Sequence, residues 1–326
     1  MADKPRPRII VAGQLSESAT ERLRNAGEVV FLKKGDERTL SGAVMEADAL
    51  VVRTYAEVTH KVISAAKEAG RLRVIGRAGV GVDNIDVRAA HGAGITVVHT
   101  PAACTSAVAD LTVGLILAVQ RKIVVGDRKL REGEFKSLRA GVPDVRELQH
   151  QTLGVIGMGR IGRAVGTRLH NGFDMRVIYY DIREIGLLPF AAEPRRSANE
   201  VYAEADVVTL HVPLTSLTRG MINEAALEQF KQGAVLINTS RGPVVEAQAL
   251  AKALEAGRLS GAGIDVFDPE PPPSDHPLLS APNGVLTPHI ASRSYEGITA
   301  MNDVVDDVIG VLTGKEPMYP ADPNLG

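Results

Sequence analysis

The chain has 326 residues, of which 44% are hydrophobic and 23% charged, and its formal net charge at pH 7 is −2. This composition is typical of a soluble globular protein, and the length is sufficient for two domains. The near-neutral charge gives no basic excess for nucleic acid or an anionic membrane surface. The longest apolar run, residues 111–119, is too short to span a bilayer. We therefore expect neither nucleic acid nor a membrane as a partner.

The single cysteine, Cys104, excludes an internal disulfide and a zinc cluster, and we predict no metal site. A catalytic thiol and a small buried side chain both fit a lone cysteine, and the apolar helix that follows favours burial. The N-terminal segment lacks the apolar core of a signal peptide. These features predict a cytoplasmic protein.

From residue 8 to residue 100, short β-type runs alternate with helix-type stretches. This alternation predicts βαβ units and a parallel sheet. The predicted strands are RIIVAG, EVVFL, ADALVVR, LRVIGRAG and GITVVHT, and the predicted helices are SATERLRNAG, LSGAVMEA, HKVISAAKEAG and DVRAAHGAG.

An apolar-periodic helix is predicted over residues 102–122, and the polar stretch 123–151 is expected to be exposed connecting structure. Alternation then restarts with TLGVIG, MRVIYYD, DVVTLHVP, AVLINTS, GAGIDVF and GVLTP, before a last helix over 293–312 and a proline-rich tail. Two successive α/β units in one chain predict two doubly wound parallel-sheet domains.

The stretch TLGVIGMGRIGR places G-x-G-x-x-G directly after a predicted strand and at the start of a helix. In that context Gly157 permits a tight turn, Gly159 leaves room for a pyrophosphate, and Gly162 lets the helix pack on the strand. Alone, the pattern also fits a tight turn that binds no ligand. Asp181 at the end of the next strand suits the ribose hydroxyls and favours NAD over NADP, an inference that the nearby Arg183 weakens.

Polar residues follow three later strands, where an open parallel sheet binds its ligands. Arg241, Glu270 and His289 supply a cation for a carboxylate or carbonyl, a carboxylate, and an acid–base histidine. Taken singly, they also fit a surface ion pair, a solvated carboxylate and a hydrogen-bonded turn histidine. Taken together, they are the set needed to reduce a 2-oxo acid beside a nicotinamide.

The order G-x-G-x-x-G, distal Asp, N-x-S-R-G, G-x-D-V-F-x-x-E-P and P-H resembles the NAD-dependent D-isomer-specific 2-hydroxyacid dehydrogenases over nearly the whole chain. The resemblance implies that Arg241, Glu270 and His289 are catalytic. It also implies a Rossmann NAD-binding domain, residues 101–292, inserted into a flavodoxin-like substrate domain formed by 1–100 and 293–326. The expected cofactor contacts are Gly157, Gly159, Arg160, Ile161, Gly162, Asp181, His211, Val212, Pro213, Thr239, Ser240 and Asp265, the last at the nicotinamide end.

Within this family, VVRTYAEVT and VIGRAGVGVDNID look most similar to phosphoglycerate dehydrogenases, in a short form without a regulatory C-terminal domain. The resemblance implies that the backbone of Val80 and Gly81 holds the substrate carboxylate. It gives Arg53 and Arg77 as a pair suited to a phosphate, although either arginine also fits a structural ion pair. Val80 replaces a frequent threonine, and the run VRELQHQT departs from the usual glycine- and tryptophan-bearing one. Glyoxylate or hydroxypyruvate therefore stays open as the small-molecule substrate.

A different class of function also shares this fold: the C-terminal binding proteins act mainly as NAD-responsive corepressors. No long disordered tail or peptide-docking extension favours that alternative here. NADH oxidation with a panel of 2-oxo acids separates the two classes. The polar segment 123–151, together with the resemblance, predicts a homodimer.

Overall fold

The computed structural model describes residues 6–140 and 145–323. The chain divides into two compact units, Met1–Cys104 with Arg293–Gly326, and Thr105–Ser292. One unit contains a five-stranded sheet and the other a seven-stranded sheet, and every strand pair in both is parallel. The predicted fold class, two parallel-sheet α/β domains, is confirmed.

The first unit has the strand order β2-β1-β3-β4-β5, which is the flavodoxin-like order. Its helices begin at side-chain caps that sequence periodicity locates only approximately. Asp36, for example, accepts the N–H of Thr39, so the second helix starts before the predicted stretch LSGAVMEA. The elements are β1 (Arg8–Ala12), α1 (Glu17–Ala26), β2 (Glu28–Leu32), α2 (Glu37–Val44), β3 (Ala49–Val52), α3 (His60–Ala69), β4 (Val74–Arg77), α4 (Val87–Gly92) and β5 (Thr96–His99).

The C-terminal segment completes the core of this first unit. The predicted helix 293–312 is two helices, α13 (Tyr295–Asn302) and α14 (Val304–Leu312), because the chain turns at Asp303. α14 buries valines beside α1 on one face of the sheet, while α2, α3 and α4 cover the other face. Both faces are therefore apolar, as a parallel sheet requires.

The second unit has the strand order β12-β11-β10-β9-β6-β7-β8. From β6 the chain adds strands first on one side and then, from β9 onward, on the other. Dinucleotide-binding sheets change sides in the same way. Its strands are β6 (Thr152–Ile156), β7 (Arg176–Tyr180), β8 (Glu193–Pro194), β9 (Val207–Leu210), β10 (Ala234–Asn238), β11 (Leu259–Ile264) and β12 (Gly284–Leu286). The short edge strand β8 was not predicted, since two residues give no periodicity.

Helices cover both faces of the seven-stranded sheet. One face packs against α5 (Thr105–Gln120) and α8 (Arg160–Phe173). The other packs against α9 (Ala198–Glu204), α10 (Glu224–Gln229), α11 (Ala247–Glu255) and α12 (Pro277–Ser280). α5 starts at Thr105 rather than at residue 102, because the residues from Pro101 to Cys104 form a turn.

Of the segment predicted as connecting structure, 123–151, the part over 123–136 is mostly exposed but largely helical, while Leu148 and Gln151 are buried. The segment contains α6 (Ile123–Arg131) and α7 (Phe135–Ala140), and residues 141–144 lie outside the described part. Its charged side chains pair with each other along helix surfaces, as Asp127 does with Arg131 one turn later, so the polar composition does not indicate a loop here. Among the described residues, no helix has the length and apolar character that crossing a membrane requires.

Candidate active site

The three glycines after β6 each meet a different steric demand. Gly157 has φ +92°, and a Cβ there would lie 2.5 Å from the carbonyl oxygen of His211. A Cβ at Gly162 would lie 2.2 Å from the Gly157 carbonyl oxygen, so α8 packs directly on the turn. At Gly159 a Cβ would meet nothing within 4 Å, which leaves open space beside the backbone.

The N-terminus of α8 opens onto this turn. α8 begins at Arg160, and no side chain caps its first N–H groups. These groups have no partner within the helix, and the helix dipole adds positive potential at the same end. Residues from Gly159 to Ile161 therefore form a cradle that fits the pyrophosphate of a dinucleotide.

Asp181, at the end of β7, holds the glycine turn in place. Its Oδ2 accepts the N–H of Met158 at 2.8 Å, and its Oδ1 accepts the N–H of Arg183 at 2.9 Å. The side chain is 6% exposed, whereas that of Arg183 is mostly exposed and lies 3.5 Å from Oδ1. A carboxylate has about four acceptor positions, so Asp181 retains capacity for ribose hydroxyls. Its bond to Met158 is a structural role that the motif alone did not predict.

The segment after β9 packs on the same turn. The N–H of His211 donates to Ile156, and Nε2 of its ring lies 3.0 Å from the hydroxyl of Thr209. Burial lowers the pKa of His211 to about 3, so the imidazole is neutral. The side chain of Val212 packs beside Gly157, where a Cβ would lie 3.1 Å from its Cγ1, and the next residue, Pro213, is exposed.

Asn238, which sequence reasoning missed, organises the loop that carries Arg241. Its Oδ1 accepts the N–H and the hydroxyl of Ser240 at 3.0 and 2.7 Å, and its Nδ2 donates to the Arg241 carbonyl at 2.9 Å. The hydroxyl of Thr239 lies 3.0 Å from that of Thr112. The available signal was an asparagine two residues before the bonded N–H, which is the pattern of an Asx turn.

Gly242 brings the loops after β10 and β11 together. A Cβ at Gly242 would lie 1.9 Å from the carbonyl oxygen of Phe267, so the two backbones touch. Phe267 in turn donates its N–H to Oε1 of Glu270 at 2.9 Å. Arg241 therefore lies close enough to Glu270 for its charge to act on that carboxylate.

His289 and Glu270 form the central pair of the site. Nδ1 of His289 lies 2.7 Å from Oε2 of Glu270, and the two side chains are 22% and 19% exposed. Among residues 6–140 and 145–323, no group bonds Nε2 of His289. The backbone of His289 has φ +52°, a conformation that costs a non-glycine residue about 1–2 kcal/mol and that clusters at functional sites.

The environment keeps Glu270 ionised. Burial raises the pKa of its carboxyl, but the hydrogen bonds from His289 and from the N–H of Phe267 lower it, as do the charges of His289 and Arg241. The net result is a pKa below the ordinary value of 4.5. The pair therefore offers a carboxylate on one side of the imidazole and an available Nε2 on the other.

Asp265 shapes the turn on which His289 lies. Its fully buried carboxylate accepts the hydroxyl of Thr287 at 2.6 Å and the N–H groups of Ile290 and Ala291 at 2.9 and 2.8 Å. The carbonyl of Asp265 accepts the N–H of His289 at 2.8 Å. Burial outweighs these hydrogen bonds and raises the pKa of the Asp265 carboxyl.

The two arginines of the first unit, which the sequence analysis paired, differ in their surroundings. Arg77 is 6% exposed, and it donates to the Ala78 carbonyl at 2.9 Å and to the Thr54 hydroxyl at 3.4 Å. Arg53 is partly exposed, and its one hydrogen bond within the described residues goes to the carbonyl of Gln14, at 3.3 Å. That both guanidinium groups serve one phosphate stays a prediction, while the bonds to Ala78 and Thr54 hold Arg77 against its own loop.

The loop after β4 also carries Val80 and Gly81, which are partly exposed. In the described part of the chain, no group of three or more His, Cys, Asp or Glu side chains lies close enough together to hold a metal ion. Cys104 is buried.

The family model for the D-isomer specific 2-hydroxyacid dehydrogenase, NAD binding domain, matches residues 113–291, within the second unit. The chain belongs to the D-isomer-specific 2-hydroxyacid dehydrogenases. It is accordingly a nicotinamide-dependent oxidoreductase, and the predicted resemblance is confirmed.

Two kinds of named relative are similar to this dehydrogenase. A glyoxylate reductase of Thermofilum pendens is 38% identical over 325 residues, covering 96% of this chain and 93% of its own length. A D-3-phosphoglycerate dehydrogenase of Archaeoglobus fulgidus is 37% identical over 318 residues, but only 58% of its length is covered. The chain thus spans little more than half of that second relative.

A solved structure adds the same fold at full length. The NADPH-dependent glyoxylate/hydroxypyruvate reductase of Sinorhizobium meliloti, solved with NADP and malonate, superposes with a TM-score of 0.86 at 31% identity. The alignment covers 98% of this chain and 97% of that protein.

The lowered pKa of Glu270 predicts how its pair with His289 depends on pH. Because the carboxyl is more acidic in the folded chain, its stabilising effect is present above pH 4.5 and is lost as the pH falls through the folded-state value. The difference in unfolding free energy between the unmodified chain and Glu270→Gln should shrink on acidification. Urea titrations at several pH values measure it, with the exposed Glu255→Gln as control. A difference that stays constant in acid contradicts the assignment.

Proposed function

We propose that the chain reduces 2-oxo acids to D-2-hydroxy acids with NADH, and catalyses the reverse oxidation, through His289, Glu270 and Arg241. The 2.7 Å hydrogen bond between Nδ1 of His289 and Oε2 of Glu270 carries this proposal. It gives the imidazole a fixed orientation with Nε2 available for a proton, which is the arrangement of a general acid–base.

NADH supplies the hydride when it is bound. His289 then gives the proton at Nε2 to the carbonyl oxygen, on which negative charge develops as the hydride arrives. Glu270 fixes the orientation of the imidazole ring, because its carboxylate accepts the hydrogen bond from Nδ1 and leaves Nε2 for the substrate. Arg241 polarises the carbonyl and binds the adjacent carboxylate, since its planar fork matches two oxygens. In the oxidative direction His289 takes the hydroxyl proton back.

NAD is the cofactor that we propose over NADP. The partly engaged carboxylate of Asp181 suits two ribose hydroxyls and repels a 2′-phosphate, whereas Arg183 lies close enough to attract one. The Sinorhizobium relative is NADPH-dependent by name, so the family does not decide the choice. The residues we assign to the cofactor are Gly157, Gly159, Arg160, Ile161, Gly162, Asp181, His211, Val212, Pro213, Thr239, Ser240 and Asp265.

For the substrate we propose an acid with a second anionic group, such as 3-phosphoglycerate. Arg53 supports this proposal. Burial lowers the pKa of its guanidinium, as does the positive charge of the nearby Arg293, and no carboxylate pairs with it among the described residues. Two neighbouring cations, with no counter-ion for Arg53 in the described part of the chain, favour an anionic ligand. The backbone of Val80 and Gly81 holds the carboxylate that every substrate shares.

A glyoxylate or hydroxypyruvate reductase is the second candidate. The glyoxylate reductases of Thermofilum pendens and Korarchaeum cryptofilum are covered over 93% and 96% of their lengths, respectively. A panel of glyoxylate, hydroxypyruvate and 3-phosphoglycerate, each with both cofactors, ranks these substrates. Lack of turnover with every substrate would favour a corepressor-like protein instead.

We also propose a homodimer, built on α6 and α7. Ile123, Val124, Leu130 and Phe135 expose about half of their apolar surface along these helices, which favours burial against a second copy. Sedimentation velocity measures the mass in solution. A cytoplasmic location is consistent with the single free cysteine.

Replacing the proton donor should separate chemistry from binding. We expect His289→Ala to lower kcat by about 10²–10⁴-fold while the Kd for NADH stays unchanged. Stopped-flow reduction and a fluorescence titration measure the two quantities. His150→Ala, an exposed histidine of the same unit, serves as control. Near-normal kcat in His289→Ala would mean that the proton comes from another group.

Replacing Asp181 should change the choice of cofactor. We expect the unmodified chain to bind NADH more tightly than NADPH, and Asp181→Asn to narrow that ratio chiefly by improving NADPH binding. The substitution removes repulsion of the 2′-phosphate. Isothermal titration with both cofactors measures the ratio. Arg183→Ala should leave NADH affinity unchanged, and equal affinities in the unmodified chain would sink the assignment.

Replacing Arg53 should discriminate between substrates. A charge-assisted contact contributes about 1.5–3 kcal/mol, so Arg53→Met should raise KM for 3-phosphoglycerate by about 10–100-fold and leave KM for glyoxylate almost unchanged. Steady-state kinetics on both substrates measure this. The exposed Arg38→Met is the control in the same unit. Equal effects on both substrates would remove Arg53 from phosphate recognition.

A further inference from the structure

The loop that follows β4 is tied to the end of β5 through two successive carbonyl groups. The N–H of Thr100 donates to the Gly79 carbonyl at 3.0 Å, and Nδ1 of His99 lies 2.7 Å from the Val80 carbonyl oxygen. Because a carbonyl oxygen can only accept, Nδ1 of His99 carries the proton and donates it. The orientation of both peptide groups is therefore fixed.

This orientation determines where the next two N–H groups point. In a trans peptide group the C=O and N–H bonds lie in one plane and point in opposite directions. The N–H of Val80 shares a peptide group with the Gly79 carbonyl, and the N–H of Gly81 shares one with the Val80 carbonyl. Both N–H groups thus point away from β5, and neither has an acceptor among the residues described. Adjacent N–H groups of this kind form an anion-binding concavity.

The buried Arg77 supports the same loop from beneath. Its Nη1 donates to the Ala78 carbonyl, which is the preceding carbonyl of the loop, and its Nη2 reaches the Thr54 hydroxyl. Gly79 has φ +151°, and a Cβ there would lie 1.4 Å from Nη1 of Arg77. The guanidinium therefore fills the space that a side chain at position 79 would need.

We propose that Arg77 and His99 are positioning residues, which fix the loop 78–81 so that the N–H groups of Val80 and Gly81 bind the substrate carboxylate. The inference rests on the proposed function, since that function requires a carboxylate site. Arg77 then acts on the carboxylate that all the candidate substrates share, whereas Arg53 acts on the second anionic group that only some of them carry. Removing either positioning contact should therefore weaken every substrate alike.

Two substitutions at His99 test the contact with the Val80 carbonyl. His99→Leu removes the donor, whereas His99→Asn places an amide N–H near the position of Nδ1. We expect His99→Leu to raise KM for glyoxylate, hydroxypyruvate and 3-phosphoglycerate by a common factor of about 5–10, with kcat and the Kd for NADH unchanged. His99→Asn should restore most of the loss. A purely structural role would lower stability without this split between KM and kcat.

Direct binding of malonate, a dicarboxylate with no reducible carbonyl, separates this inference from the proposed activity. Calorimetry should show malonate binding to the unmodified chain with NADH, weakened by the same factor in His99→Leu and unchanged in the exposed control His91→Leu. If the chain binds malonate but reduces no 2-oxo acid, the proposed activity fails and the loop assignment stands. Absence of malonate binding, or unchanged affinity in His99→Leu, would overturn the inference, as would an effect on one substrate only.

Discussion

The buried carboxylate of Asp265 is the interaction on which the geometry of the candidate active site depends. It accepts three hydrogen bonds from the segment that follows β12, and its own backbone accepts the N–H of His289 and donates to Asn238. These hydrogen bonds offset part of the cost of burying the carboxylate, although burial still raises its pKa. They hold His289 in a left-handed conformation and link its turn to the loop that carries Arg241.

Close backbone contacts at glycines assemble the rest of the site. Gly242 lets the loops after β10 and β11 touch, and Gly157 lets the turn after β6 touch the segment at His211. In the first unit, Gly79 makes room for the guanidinium of Arg77 in the same way. In each case the loop follows a parallel strand at its carboxyl end, where such sheets bind ligands. The parallel sheets thus bring these loops to the carboxyl ends of their strands, and the glycines determine how closely the loop backbones approach each other.

Alternating β and α patterns were sufficient to predict the fold class, because parallel sheets buried on both faces give short, strongly apolar strands. Periodicity did not predict β8, the break at Asp303, or the helices within 123–151, where tertiary contacts and ion pairs decide the local structure. At the site, motif order brought out His289 and Glu270. It missed Asn238 and Thr287, since hydrogen bonds between distant strands leave no local signal.

The most direct test of the account follows the hydride. NADH carrying deuterium at the transferable C4 position should reduce hydroxypyruvate to glycerate with one deuterium at C2, and chiral chromatography should show the D enantiomer only. In His289→Ala the product should form far more slowly but keep the same label and configuration, because the histidine supplies the proton and not the hydride. L-glycerate, a racemic product, or glycerate without the label would contradict the proposed mechanism.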